Sequence, residues 1–208
     1  AGDGGEMLTL TYGAFMERHG RRSEAAGLYQ QSLAANPDDT LMAAAKARTF
    51  DHGRAPAMVS VRQGAAYALV IPAAEAIAQK DGKTALEYLR LALKLDPTRD
   101  QAWLLVGDLL ADSNDEDGAR AAYAEVGPAS ARYVAARAKL AWSYQNGGDS
   151  ETALKLARDT AQTAPGSREA QVTLADLLRE NDQYPQSAAV LDKLIDQAGP
   201  KADWRLYF

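Results

Sequence analysis

Residues able to do acid–base chemistry are few and scattered along the chain. His19 and His52 are the only histidines, each in a polar turn, where a lone histidine is far more often ordinary than catalytic. Asp176 and Glu180 are one helical turn apart, a spacing that could pair two carboxylates but that a solvated helix face explains better. The sequence has no cysteine, no Gly-x-Ser-x-Gly nucleophile elbow and no phosphate-binding glycine loop. We therefore expect no enzymatic activity and no cofactor.

An acidic turn at residues 112–118 is the best candidate for a metal site. Its acids and its glycine follow the order of a calcium-binding loop, but Ala124 stands where the closing bidentate glutamate is required. The turn belongs to a longer stretch, residues 96–117, that holds seven acids and one base, Arg99. This negative charge favours a basic or amine-bearing partner, and helix capping by the same acids is the alternative. We expect no bound metal.

Composition indicates a folded helical protein. Of the 208 residues, 47% are hydrophobic and 25% are charged, with a net charge of −5, and no dense run of Lys or Arg interleaves with aromatic residues. Nucleic acid is therefore not an expected partner. The longest apolar stretch, residues 64–74, contains Pro72 and is too short to span a bilayer, so no membrane span is expected.

Small residues recur with a period of 34, and prolines such as Pro97 and Pro165 keep the same frame at twice that spacing. One register holds Ala73, Gly107, Ala141 and Ala175, and another holds Ala85, Ala119, Ala153 and Ser187. Small residues at fixed positions allow two helices to approach closely, and a period of 34 is typical of stacked helix pairs. The sequence therefore predicts an all-α solenoid of antiparallel helix pairs.

The 34-residue frame predicts one solenoid domain over residues 6–208 after a disordered tail at residues 1–5. Full repeats are expected at residues 6–39, 66–99, 100–133, 134–167 and 168–201, with a truncated repeat beginning at 202. The starts at 6 and 66 are 60 residues apart, eight short of two periods, so residues 40–65 are expected to form a degenerate, compressed repeat.

Within residues 40–65 we expect one helix over residues 41–50, a turn at 51–53 and a second helix over residues 55–62, with a tight exit at Gly64. Pro72 should interrupt the next helix, because a proline removes a backbone donor and clashes with the preceding turn. That helix is expected either to kink at Pro72 or to begin near Ile71.

Two strings carry a family resemblance. Trp103-x2-Val106-Gly107-x2-Leu110 followed by Ala119-x3-Tyr123, and Tyr12-Gly13-x2-Met16 followed by Ala25-x3-Tyr29, resemble the tetratricopeptide repeat. The resemblance covers nearly all of the chain and implies a right-handed superhelix. It also implies a non-catalytic scaffold whose concave groove, lined by the first helix of each pair, binds a peptide or a partner protein.

The resemblance implies which residues line that groove. They are Tyr67, Val70 and Ala74; Gln101, Leu104, Asp108 and Asp112; Ala138, Lys139, Trp142, Gln145 and Asn146; and Glu169, Val172, Asp176 and Arg179. Trp142 is the most suggestive of them, because tryptophan is enriched among binding hot spots. The alternative for Trp142 is ordinary packing between helices.

The chain also resembles uncharacterised tetratricopeptide proteins of the alphaproteobacterial cell envelope, notably at residues 89–97, at Leu140-Ala141-Trp142 and at residues 203–207. This resemblance and the start at Ala1 favour the periplasm and a role in envelope-associated assembly. A cytoplasmic adaptor, or the repeat region of a larger enzyme or polysaccharide-export machine, are the alternatives. Residues 204–208, three of which are aromatic, are expected to continue into another helix, or to support self-association.

Overall fold

In the computed structural model, residues 3–51 and 53–198 are described, and over these residues the chain forms eleven α-helices and no strand. The helices are α1 (Asp3–Arg18), α2 (Arg22–Ala35), α3 (Thr40–Phe50), α4 (Val61–Ala78), α5 (Gly82–Leu95), α6 (Asp100–Asp112), α7 (Glu116–Ala124), α8 (Tyr133–Asn146), α9 (Ser150–Thr163), α10 (Arg168–Glu180) and α11 (Tyr184–Ala198). The expected all-α class is confirmed.

The turns inside the helix pairs repeat with the 34-residue period. The second helices α5, α7 and α9 are capped by Asp81, Asp115 and Asp149, whose carboxylates accept hydrogen bonds from backbone amides at 3.0–3.1 Å. Each cap satisfies a donor that the first turn of a helix leaves free. The residue directly before each capping aspartate has a positive φ, as at Asn114 (62°) and Gly148 (83°). The turn chemistry thus sets where each second helix begins.

The chain divides into two compact units, Ala1–Pro97 and Thr98–Phe208. In the first unit α1, α2 and α3 pack around a core that includes the buried side chains of Met16, Tyr29 and Met42. In the same unit α4 packs against α5. There, small residues on α4, such as Ala66 and Ala73, are fully buried.

In the second unit each helix from α6 to α11 packs against the next. One core cluster joins Leu104 and Tyr123 of α6 and α7 to Leu140 of α8. A Cβ added at Gly107 would collide with the ring of Tyr123, which explains why the first register requires a very small residue there. A second cluster continues through α9 into α10.

The compressed segment differs from expectation in its second half. The helix predicted over residues 41–50 is present as α3, with Asp39 as its cap, but the helix predicted over residues 55–62 is wrong, because residues 53–60 are not helical. Pro56 disfavours a helical conformation in the residue before it. Arg22 and Arg18 also bind this segment, donating hydrogen bonds to the carbonyls of Gly53 (2.8 Å) and Pro56 (3.0 Å). His52, in the expected turn, lies outside the described residues.

The start of α4 also corrects two expectations. Ser60 forms a capping box with Gln63, so the helix begins at Val61 and Gly64 lies inside it rather than at a tight exit. Pro72 stands inside α4, so a start near Ile71 is wrong. The carbonyl that loses its helical donor at Pro72 belongs to Ala68, which is exposed, so water can satisfy it.

Candidate functional site on the first helices of the second unit

The first helices of the second unit, α6, α8 and α10, carry corresponding residues at 34-residue spacing. Asp108, Trp142 and Asp176 occupy the same repeat position on the three helices. Helices α8 and α10 pack together, and Lys139 of α8 is ion-paired with Asp108 of α6. We call the surface around these four residues the first-helix face.

Trp142 is half-buried and packs against the core cluster that contains Ala141, Leu154 and Leu178. The packing expected from ordinary repeat architecture is therefore present. The part of the indole that remains accessible is held on a rigid support. A partly exposed aromatic ring fixed in this way loses little conformational entropy when a partner covers it.

Asp108 has partners within the chain. Its Oδ1 accepts a hydrogen bond from the hydroxyl of Tyr123 at 2.8 Å and contacts Nζ of Lys139 at the same distance. Burial raises the pKa of Tyr123, and the hydrogen bond to Asp108 raises it further, so the hydroxyl stays protonated and donates. Asp108 is thus paired with Lys139 and hydrogen-bonded by Tyr123 within the chain.

Two acids of α10 have raised pKa values. Although part of Glu169 is exposed, loss of solvation raises its pKa, and attraction to Lys139 opposes that shift only in part. Loss of solvation also raises the pKa of Asp176, although Nη2 of Arg179 lies 3.1 Å from its Oδ1. A cation placed beside either carboxylate would stabilise its charged form.

The other residues predicted for the groove take varied positions. Val70 and Leu104 are only 3% and 8% exposed, so their side chains serve helix packing. Gln145 is half-buried and accepts a hydrogen bond from Asn181 at 2.9 Å. The exposed residues are Ala74, Asp112, Asn146, Glu169 and Arg179, and the half-buried ones are Tyr67, Gln101, Ala138, Lys139 and Val172. Tyr67, Val70 and Ala74 belong to the first unit.

The structure thus brings predicted groove residues together in two ion pairs that were not predicted, Asp108 with Lys139 and Asp176 with Arg179. Sequence reasoning missed Tyr123 as the hydroxyl donor to Asp108. The available signal was the recurrence of tyrosine in the second helix, because the hydroxyl of Tyr29 in the first unit also donates to a first-helix carboxylate, that of Glu17, at 2.9 Å. The groove as a whole stays a prediction.

Part of the acidic stretch has a local structural role. Asp115 caps α7, and Asp117 lies 3.3 Å from a guanidinium nitrogen of Arg120. Within residues 3–51 and 53–198, no group of three or more His, Asp or Glu side chains is arranged to hold a metal ion. His19 packs its ring on Phe15 at a centroid distance of 4.1 Å.

None of the helices in the described part of the chain is both long enough and apolar enough to cross a membrane.

Helices α8 and α9 carry the clearest family signal. Residues 136–167 match the family model of the tetratricopeptide repeat. Their two helices, the turn with Gly148 and the cap at Asp149 have the same arrangement as the other helix pairs of the second unit. No curated protein matches the chain in sequence.

Solved structures with tetratricopeptide-type solenoids share this fold. A crystal structure of MamA is 16% identical, with a TM-score of 0.53 over 95% of this chain and 94% of MamA. A tetratricopeptide repeat protein from Parabacteroides merdae is 15% identical, with a TM-score of 0.52 over 93% of this chain and 66% of the other. PilF of Pseudomonas aeruginosa is 16% identical, with a TM-score of 0.50 over 98% of this chain and 80% of PilF. The likeness shows a common fold.

Proposed function

We propose that this chain is a non-catalytic scaffold that binds a peptide or a partner protein on the first-helix face. The observation that carries the proposal is the half-buried indole of Trp142, held by core packing at the same repeat position as Asp108 and Asp176. An accessible aromatic ring flanked by carboxylates on neighbouring helices offers one apolar contact and adjacent sites for positive charge.

A basic partner fits this face best. Among the predicted groove residues of the second unit, the acids are Asp108, Asp112, Glu169 and Asp176, against two bases, Lys139 and Arg179. Lys139 pairs with Asp108 and Arg179 pairs with Asp176, but loss of solvation still raises the pKa of Asp176 and of Glu169, so the α10 carboxylates would gain most from a partner's cation. We therefore expect a lysine or arginine side chain of the partner to bind between Trp142 and Asp176.

Panning a phage-displayed library of random 12-residue peptides against the immobilised chain tests this proposal. Enriched peptides should carry net positive charge and at least one apolar residue. Trp142→Ala should weaken their binding about tenfold to thirtyfold, since truncation of a hot-spot aromatic residue costs about 2 kcal/mol. Asp176→Asn should weaken basic peptides more than neutral ones, as measured by fluorescence anisotropy.

Tyr184→Ala provides a matched control, because Tyr184 is an aromatic residue on α11 with 58% of its surface exposed. Its removal should leave peptide affinity unchanged, and circular dichroism should match across all variants. If peptides selected on the parent bind Trp142→Ala as tightly as the parent, the first-helix face is not the binding site.

For its location, we propose the periplasm and an envelope-associated assembly. The support is the resemblance of residues 89–97 and of Leu140-Ala141-Trp142 to envelope proteins. Osmotic-shock fractionation of the source cells should release the native protein with the periplasmic contents, and its retention in the cytoplasmic fraction would favour the adaptor alternative.

Self-association through residues 203–208, which lie outside the described residues, is checked by light scattering with and without them.

A further inference from the structure

Helix α1 displays a stripe of large apolar side chains on its exposed side. Leu8, Tyr12 and Phe15 are 71%, 46% and 42% exposed, and their spacing of four and three residues places them along one face of the helix. The rings of Tyr12 and Phe15 lie nearly parallel at an interplanar angle of 8°, with centroids 6.3 Å apart. We call these three residues the α1 stripe.

The same repeat positions are buried on two later first helices. Aligning Gly13 with Ala141 and Ala175 places the α1 stripe in register with three residues of α8 and three of α10. On α8 these are Ala136, Leu140 and Ser143, exposed by 1%, 8% and 5%, and on α10 they are Ala170, Leu174 and Leu177, exposed by 1%, 8% and 0%. What is core on α8 and α10 is therefore surface on α1.

On those later helices, the preceding helix pair covers this face. Leu140 packs in one cluster with Tyr123 and Val126, which come from α7 and the residues just after it. Leu177 packs in the next cluster with Ala157 and Ala161 of α9. The side-chain amide of Gln171 on α10 also donates a hydrogen bond to the carbonyl of Ala161 at 3.1 Å. The face is the stacking surface for the second helix of a preceding pair.

The complementary surface exists on α11, the second helix of the last described pair. Leu191 and Ile195 occupy the positions that Ala157 and Ala161 hold on α9. They are half-buried, whereas Ala157 and Ala161 are 2% and 6% exposed. Helix α11 therefore presents larger and more accessible apolar side chains where α9 contacts α10.

We propose that a second copy of this chain docks its α10–α11 pair on the α1 stripe. In this contact, α11 of one copy lies against α1 of the next as α9 lies against α10 within one chain. The contact joins two different surfaces, so a pair of copies leaves one α1 stripe and one α10–α11 surface available for further copies. Such head-to-tail contacts grow into open chains or close into rings.

Two variants test this contact because each removes one surface and keeps the other. Phe15→Glu places a charge on the α1 stripe, and Leu191→Glu places one on α11. Sedimentation velocity of the parent should show a mass that rises with concentration above the 22.3 kDa of one chain. Each variant alone should form at most weak dimers. An equimolar mixture should form a one-to-one complex of twice the chain mass and grow no further, because its two remaining free surfaces both carry glutamate.

Val61→Glu is the matched control, since Val61 is an apolar residue 90% exposed at the start of α4. It should associate like the parent. Tyr12→Lys repeats the change on the α1 stripe with a different side chain, and Ile195→Lys does the same on α11. A folding defect in one variant therefore does not decide the result. Circular dichroism identifies any such defect.

Three results would overturn the proposal. The first is a parent that stays at the mass of one chain at every concentration. The second is Leu191→Glu and Ile195→Lys associating as strongly as the parent, which would indicate an α1-to-α1 contact between copies. The third is a mixture of the two surface variants that forms no complex.

Discussion

Arg48→Met should lower the free energy of unfolding of the first unit by about 3–5 kcal/mol. The carboxylate of Glu17 has no exposed surface, and it accepts hydrogen bonds from Arg48 at 2.7 and 3.1 Å and from the hydroxyl of Tyr29 at 2.9 Å. Removing the guanidinium leaves a buried negative charge with a single neutral donor. Chemical denaturation followed by circular dichroism measures the loss.

An exposed ion pair gives the control. Arg21 and Glu24 are 2.6 Å apart, but 45% and 54% of their side-chain surfaces are exposed. Arg21→Met should therefore destabilise the first unit far less than Arg48→Met, because water already solvates both charges. Glu17→Gln combined with Arg48→Met should recover part of the stability lost in Arg48→Met, since the double variant buries no charge. An equal loss in Arg21→Met and Arg48→Met would contradict the role given to burial.

The pH dependence of Arg48→Met should have the opposite sign to that of the parent. Burial acts to raise the pKa of Glu17, but hydrogen bonds and attraction from Arg48, together with Tyr29, outweigh it and lower that pKa. In the parent, Glu17 therefore contributes stability above its unfolded pKa that is lost as the pH falls through its folded pKa. Without Arg48, Tyr29 and Arg22 still favour the charged form, but burial is the largest single cause and we expect it to raise the pKa of Glu17. Acidification should then stabilise the variant relative to neutral pH.

Leu177→Ala should destabilise the second unit by about 2–5 kcal/mol. Leu177 is fully buried and joins α10 to the cluster formed by α8 and α9. Truncation removes apolar contacts and leaves a cavity between neighbouring helix pairs. Hydrogen exchange of the α8–α10 backbone amides should speed up, and the denaturation midpoint should fall.

The control for Leu177→Ala uses the same substitution on an exposed helical residue. Leu91 on α5 is 52% exposed, so Leu91→Ala should change stability by no more than about 0.5 kcal/mol. If the two leucine variants lost similar stability, the tight packing assigned to the α9–α10 contact would be wrong.

Much of the fold follows from local sequence chemistry. The caps at Asp81, Asp115 and Asp149 are readable as acids that follow a turn, and the structure places each at the start of a second helix. The requirement for a small residue at Gly107 is equally readable from the 34-residue register of small residues. In the structure, the ring of Tyr123 fills the space beside Gly107. These signals are short-range and repeat, so the helix pairs could be predicted.

Prediction failed where a long-range contact competes with local preference. Residues 55–62 have a plausible helical composition, but Pro56 and the hydrogen bonds from Arg18 and Arg22 favour a non-helical conformation of residues 53–60. The two arginines are more than 30 residues away in sequence, and no repeat pattern reports them. The start of α4 at Val61 depends on a local signal, the capping box of Ser60 and Gln63, which sequence reasoning missed.

At the candidate site, the sequence supplied the residue types and the structure supplied the pairings. Asp108 and Asp176 occupy the same repeat position, yet Asp108 receives Lys139 of α8 and the hydroxyl of Tyr123, whereas Asp176 pairs with Arg179 of its own helix. Which carboxylate keeps charge available for a partner depends on which long side chain reaches it across the helices. Spacing along the chain does not contain that information.

The sequence by itself determined the all-α class, the 34-residue unit and the positions of most turns, because small residues, caps and turn residues act over a few positions. Only the tertiary structure decided which faces are covered. Leu8, Tyr12 and Phe15 follow the same helical spacing as Ala170, Leu174 and Leu177, but the second set is buried and the first is exposed. Burial depends on which helix packs alongside, and the spacing of residues along one helix is the same whether or not that neighbour is present.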